Sequence, residues 1–268
     1  MFRTTELSDP AIPLDGLRFM TVKSAALGQR ADLTLYATAG ITAESPVILL
    51  LHGVYGSHWA WAAKGAAHRT AEVLVAERLL PPVILCMPSD GLWGDGSGYV
   101  AHRAQDFETW ALEEAPAAAR LAYGTGPSPL LVCGLSMGGF AALRFAGKHP
   151  ARITAASAHS ALTRIEQLDE LIVESRARWS NAPADRCVLS ALRDARGALP
   201  PFRFDCGVED AYLDANRELH DALSAAGIGH GYAERPGGHE WSYWRRELAE
   251  SLRFFGAVLA NPDRRPVT

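Results

Sequence analysis

Leu130-Leu131-Val132-Cys133-Gly134-Leu135-Ser136-Met137-Gly138-Gly139 is the stretch on which the reading of this chain turns. A short apolar run stops at a Gly-x-Ser-x-Gly pattern, and residues 140–148, rich in Ala, Leu and Phe, follow with helical character. Strand, tight turn, helix is the context in which a serine sits on a sharp, strained elbow with its hydroxyl lifted out of a sheet. Side chains at Gly134 or Gly138 would collide with their neighbours in such a turn. The helix that opens just after the serine aims N–H groups and a positive dipole end at the same point. Glycines and serines also mark ordinary turns, so the flanking strand and helix carry the reading.

Working outward, residues 46–51 and 83–87 are continuous apolar runs, as expected for strands of a parallel sheet buried on both faces. Residues 152–158, 201–207 and 228–234 read as further strands. Helices are expected over 59–79 (broken near Gly65 and ended by Pro81-Pro82), over 102–122 with Pro116 as a break, over 212–226 and over 240–259. Residues 17–23 and 31–38 alternate apolar and polar side chains around a turn at Gly28, which predicts an antiparallel hairpin at a sheet edge. Residues 160–200 are polar and helix-prone and read as a small helical insertion or cap. Residues 1–15, with Pro10 and Pro13, read as an irregular lead-in, and 262–268 as a frayed tail. The expected fold is α/β: a mostly parallel sheet with an N-terminal antiparallel hairpin, helices on both faces, and one domain over residues 1–268.

Composition narrows the function classes. A chain of 268 residues with 48% hydrophobic and 21% charged residues is an ordinary globular protein. The net charge of −4 gives no electrostatic reason to expect nucleic acid or an anionic membrane as partner. The loop over 88–98 has four glycines but no Gly-Lys-Ser/Thr ending, so it is not read as a nucleotide site. Cys86, Cys133, Cys187 and Cys206 show no CxxC pairing, which predicts neither zinc nor a disulfide framework. No apolar segment of signal length follows Met1 and none is long enough to span a bilayer, so the expected location is cytoplasmic. A homodimer through an edge strand or the final helix is the one assembly considered, without a sequence signal for it.

A serine hydroxyl needs a base, and the base an orienting acid. With an elbow serine the chain order is Ser, acid, His. Of nine histidines, His220, His230 and His239 lie far enough beyond Ser136. His220 falls mid-helix and His230 opens the last strand. His239 lies in Pro236-Gly237-Gly238-His239-Glu240-Trp241, a loop between that strand and the final helix, where ligands meet open α/β sheets. His239 is therefore the expected base. Asp210, in Cys206-Gly207-Val208-Glu209-Asp210, is the expected acid, preferred over Glu209, Asp205 and Asp214; it is also placed to cap the next helix. The oxyanion is expected on the N–H groups of Met137 and Val54, with Tyr55 as the alternative to Val54. His52 is expected to hold that loop. His159, at a strand end, is carried as a pocket or supporting group.

Four motifs together, Leu-Leu-His-Gly-x-x-Gly-Ser near residue 50, Gly-Leu-Ser-Met-Gly-Gly at the elbow, Asp-Cys-Gly-x-Glu-Asp near 210 and Pro-Gly-Gly-His-Glu-Trp near 239, resemble the putative-esterase family of α/β-hydrolases. That family includes esterase D (S-formylglutathione hydrolase), feruloyl and acetyl-xylan esterase domains and the mycolyltransferases. The resemblance covers roughly residues 16–258 and implies the α/β-hydrolase fold, a Ser136–His239–Asp210 triad, an acyl-enzyme and hydrolysis of carboxylic esters or thioesters, without cofactor or metal. The substrate is then a small-molecule ester of small or medium acyl size, with Tyr55, Trp93, His159 and Trp241 as candidate contacts. Competing readings are an acyltransferase or thioesterase of the same family, a serine peptidase, and a non-catalytic binding scaffold.

Overall fold

The computed structural model describes residues 5–7 and 14–261. Most of the expected lead-in and the whole expected tail lie outside those residues. Nine strands form one sheet: β1 (Thr5–Leu7), β2 (Arg18–Lys23), β3 (Arg30–Ala37), β4 (Val47–Leu51), β5 (Ile84–Pro88), β6 (Leu130–Leu135), β7 (Ala155–His159), β8 (Phe202–Gly207) and β9 (Gly231–Arg235). Their order is β1-β2-β3-β5-β4-β6-β7-β8-β9. The pairings among β1, β2, β3 and β5 are antiparallel, and those from β5 through β9 are parallel. The hairpin of β2 and β3 is thus present, and β1 adds a strand that the expected lead-in did not contain. Three residues are too few to show an alternating pattern.

The apolar runs divide by strand period. Val47, Leu49 and Leu51 enter the core on one side of the sheet, and Ile48 and Leu50 enter the core on the other. Leu130 and Val132 against Leu131, Cys133 and Leu135 divide the same way. One core takes α4 (Ala115–Tyr123, following α3, Phe107–Thr109) and α5 (Met137–Lys148). The opposite core takes α1 (Ala60–Ala63), α2 (Ala67–Ala76) and α9 (Trp241–Ala260). Helices therefore cover both faces, as a sheet buried on both sides requires.

The helix expected over 59–79 divides into α1 and α2 at Ala66, beside the break expected near Gly65; its φ of +50° no continuing α-helix allows. Two other expectations differ from the structure, each for a physical reason. The helix expected from 102 starts at Phe107, where the Asp106 side chain accepts from Thr109 N–H at 2.9 Å. It passes Pro116 without breaking: a π turn over Trp110–Glu114 widens the helix where the proline ring would crowd the preceding turn. The 160–200 segment holds two 3₁₀ turns (Ile165–Glu170 and Arg176–Arg178), α6 (Pro183–Arg186) and α7 (Val188–Asp194), followed after β8 by α8 (Leu213–Ala225). Val188 and Leu192 of α7 belong to the same core as α5, so this part of the segment is packed body rather than cap.

Register brings the ends of the central strands together. Leu51 pairs with Gly134, Leu135 with His159, and His159 with Asp205. The loops that leave β4, β6, β7 and β8 therefore meet at one edge of the sheet.

Candidate active site

Ser136 occupies the turn between β6 and α5 with φ +53° and ψ −118°, a conformation non-glycine residues rarely hold. Space explains the glycines around it. A Cβ on Gly134 would lie 2.1 Å from the Gly138 carbonyl oxygen, and one on Gly138 would lie 2.3 Å from that of Leu51. The turn is held from β7: Ser136 N–H donates to the His159 carbonyl at 3.0 Å, and Leu162 N–H donates to the Ser136 carbonyl at 3.3 Å.

Ser136 Oγ lies 3.0 Å from His239 Nε2. His239 Nδ1 lies 3.0 Å and 3.2 Å from the two Asp210 carboxylate oxygens. Glu209 N–H donates to the Gly237 carbonyl at 3.0 Å, which ties the Asp210 segment to the histidine loop. Asp210 also accepts Tyr212 N–H at 2.9 Å just ahead of α8, whose N-cap position is taken by Tyr212 and not by Asp210. Burial works against its ionisation, yet the His239 hydrogen bond and charge outweigh that and hold the carboxyl below its ordinary range. The imidazole itself is enclosed edge-on by Trp244 (ring centroids 4.9 Å apart) and Tyr212 (5.0 Å).

Met137 opens α5, so its N–H has no intrahelical acceptor. Of the two loop amides weighed for the facing position, Tyr55 N–H is directed at the Asp95 carbonyl at 3.4 Å. No partner is recorded for Val54 N–H among the described residues. His52, buried behind the loop, receives Asp90 N–H on Nε2 at 3.0 Å, so Nδ1 carries the proton and donates to the Gly53 carbonyl at 2.8 Å. That is a holding role for His52.

A cavity of about 480 Å³ opens onto Ser136 and His239. Its walls come from the loop after β4 (Gly53 to Gly56), from Trp59, Ala60 and Lys64, from Leu171, and from Tyr212, Glu240, Trp241 and Trp244. Tyr55 and Trp241, two of the candidate contacts, line it. Two others do not. Trp93 turns away and packs on His102, Phe107 and Trp179. His159 is fully buried beneath the elbow, with Nδ1 2.9 Å from Asp205 Oδ1 and Nε2 3.0 Å from Ser251 Oγ. Burial opposes its charge, but the Asp205 carboxylate prevails and raises its pKa to about 10. It belongs to the core and is not a pocket group. Sequence reasoning missed Lys64, Leu171, Tyr212 and Trp244. Each reaches the cavity from an element whose pattern spoke only of packing, and no local signal marks them.

Among the described residues, no group of three or more His, Cys, Asp or Glu is arranged to hold a metal ion, and no helix is long and apolar enough to cross a membrane.

The model of the family described as "Putative esterase" matches residues 24–255, and the chain belongs to that family. It is 26% identical over 142 residues to an acetyl esterase of Caldicellulosiruptor saccharolyticus; that match takes in 47% of this chain and spans about half, 53%, of the relative's length. Among solved structures, a ferulic acid esterase superimposes with a TM-score of 0.75 at 24% identity, over 95% of this chain and 99% of that one. A fluorophosphonate-binding serine hydrolase of Staphylococcus aureus superimposes with a TM-score of 0.74 at 18% identity, over 90% and 98%. These two likenesses establish the α/β-hydrolase fold.

Proposed function

We propose that this member of the putative-esterase family hydrolyses carboxylic esters of small or medium acyl size through Ser136, His239 and Asp210. The observation that carries the reading is the continuous line of hydrogen-bond contacts, Ser136 Oγ to His239 Nε2 at 3.0 Å and His239 Nδ1 to Asp210 at 3.0 Å, opening onto the cavity. Ser136 Oγ attacks the acyl carbon while its proton passes to His239 Nε2. Asp210 keeps the Nδ1 proton in place and stabilises the imidazolium. The carbonyl oxygen, now negative, accepts from Met137 and Val54 N–H. Collapse expels the alcohol with the proton from His239 and leaves an acyl-Ser136. Water then adds to the acyl carbon, gives its proton to His239, and the carboxylic acid leaves as Ser136 is re-protonated.

The cavity supports the size class, since about 480 Å³ fits a small ligand. The test is hydrolysis of p-nitrophenyl esters from acetate to decanoate by wild type and by Ser136→Ala. Activity that favours the shorter chains and is lost in Ser136→Ala is expected. Activity that survives the substitution, or a wild type inert across the series, would refute the assignment.

A further inference from the structure

Two residues at the carboxyl end of β7, His159 and Ser160, contribute nothing to the proposed bond-making steps, yet Ser136 and the aromatic wall of His239 lean on them. His159 offers its backbone carbonyl to Ser136 N–H at 3.0 Å. Ser160 is fully buried and held at φ +48°, a strained value for a serine. Its N–H donates to the Asp205 carbonyl at 2.8 Å. Its hydroxyl accepts Trp244 Nε1–H at 3.1 Å. Trp244 in turn presents its ring at 90° to His239. One buried hydroxyl beside the elbow thus holds the aromatic wall of the base.

The side chain of His159 anchors the same end of β7 from below. Its imidazole spans Asp205 on β8 and Ser251 on α9, and Asp205 also accepts Tyr243 O–H from the first turn of α9 at 2.9 Å. Ser251 lies 2.7 Å from Ser157 and 3.2 Å from Arg203 Nη1, and Arg203 Nη2 pairs with Asp205 at 3.0 Å. The helix that begins two residues after His239 is therefore fastened to the strand that ends beside Ser136. A carboxylate at full burial is costly unless its lone pairs are used, and His159, Tyr243 and Arg203 use those of Asp205.

We infer that Ser160 is a positioning residue for the proposed triad, its hydroxyl holding the Trp244 ring against His239, with His159 and Asp205 as its buried footing. The inference rests on the serine-hydrolase reading. Ser160→Gly is the decisive variant, because glycine relaxes the positive φ while removing the hydroxyl. The expected result is a thermal midpoint equal to or above wild type with kcat for p-nitrophenyl acetate lower by about five-fold or more and KM little changed, the scale of one lost buried hydrogen bond. Tyr243→Phe, which keeps the ring and removes one bond to Asp205, should lower kcat in the same direction with KM held. Labelling of wild type by a fluorophosphonate probe, absent in Ser136→Ala, accompanies both assays. Wild type labelled at Ser136 with kcat unchanged in a folded Ser160→Gly would overturn this inference alone. Wild type unlabelled would overturn the serine-hydrolase reading and this inference with it.

Discussion

Gly53 lies directly against Ser136: a Cβ built on it would come 3.0 Å from Ser136 Cβ and 2.8 Å from Leu135 Cδ1. The loop that carries Val54 N–H is therefore set at its height by the absence of one methyl group. Gly53→Ala meets no backbone strain, so its effect is displacement alone. The loop must rise or the elbow must shift, and Val54 N–H leaves the position proposed for the oxyanion. We expect kcat for p-nitrophenyl acetate to fall by roughly a hundred-fold, the scale of one lost oxyanion donor. The thermal midpoint should change far less than the rate. A variant with near wild-type kcat would show that the second donor lies elsewhere.

Asp210→Asn keeps the shape of the acid and removes its charge. An amide placed at 3.0 Å from His239 Nδ1 can present its NH₂, which favours the tautomer with the proton on Nε2 and leaves no base facing Ser136. The expected loss is about 10³- to 10⁴-fold in kcat, with KM near wild type. Steady-state kinetics at neutral pH decide it. A loss under ten-fold would move the orienting role to another carboxyl.

The parts that were legible in the sequence are those whose chemistry is local. The period-two division of β4 and β6 follows from their unbroken apolar runs, and the elbow announces itself because Gly134 and Gly138 stand where no Cβ fits. That Asp210 and His239 come together beside Ser136 was reachable because chain order and loop position prune the candidates. His159 was not, because its place is fixed by Asp205 and Ser251, 46 and 92 residues away, and a strand-end histidine has the same local sequence whether it faces a pocket or the core. Trp93 failed for the same reason: its partner Trp179 arrives from the 160–200 segment, where no pattern foretells the contact.

Tyr55 bridges two walls of the cavity. It stands on the loop after β4 with φ +61°, and its hydroxyl donates to the Leu171 carbonyl of the 160–200 segment. Tyr55→Ala opens that side. The prediction is a change of profile rather than of rate: octanoate relative to acetate should rise by about ten-fold, the order of discrimination an apolar pocket provides. Tyr55→Phe keeps the ring and cuts only the tether, so its chain-length profile should follow wild type. If Tyr55→Ala lowers all esters in proportion, the ring does not bound the acyl site.

Arg144 is a buried cation that the proposed chemistry does not use. From α5 its Nη2 reaches Glu108 at 2.5 Å and Asp185 at 3.2 Å, joining α3, α5 and α6, and Lys148 Nζ adds a contact to Glu108 at 2.6 Å. Burial raises both carboxyl pKa values, but His149, Arg144 and Lys148 at Glu108, and Lys148, Ser180 and Arg144 at Asp185, outweigh it and hold both below their ordinary values. A carboxyl depressed on folding binds fewer protons in the native state than in the unfolded one. Its contribution is present above the unfolded pKa and fades as pH falls through the folded one. Wild-type stability should therefore decline below about pH 4. Arg144→Met leaves the two buried carboxylates under-compensated and should cost about 3 kcal/mol or more at pH 7. At pH 3.5, roughly where carboxyls begin to take up protons, the difference between variant and wild type should narrow, because Glu108 and Asp185 then shed the charge that Arg144 had matched. Urea unfolding at the two pH values measures it. A difference as large in acid as at neutrality would mean that Arg144 stabilises through its packing over the Phe140 ring, 5.0 Å away, and not through charge.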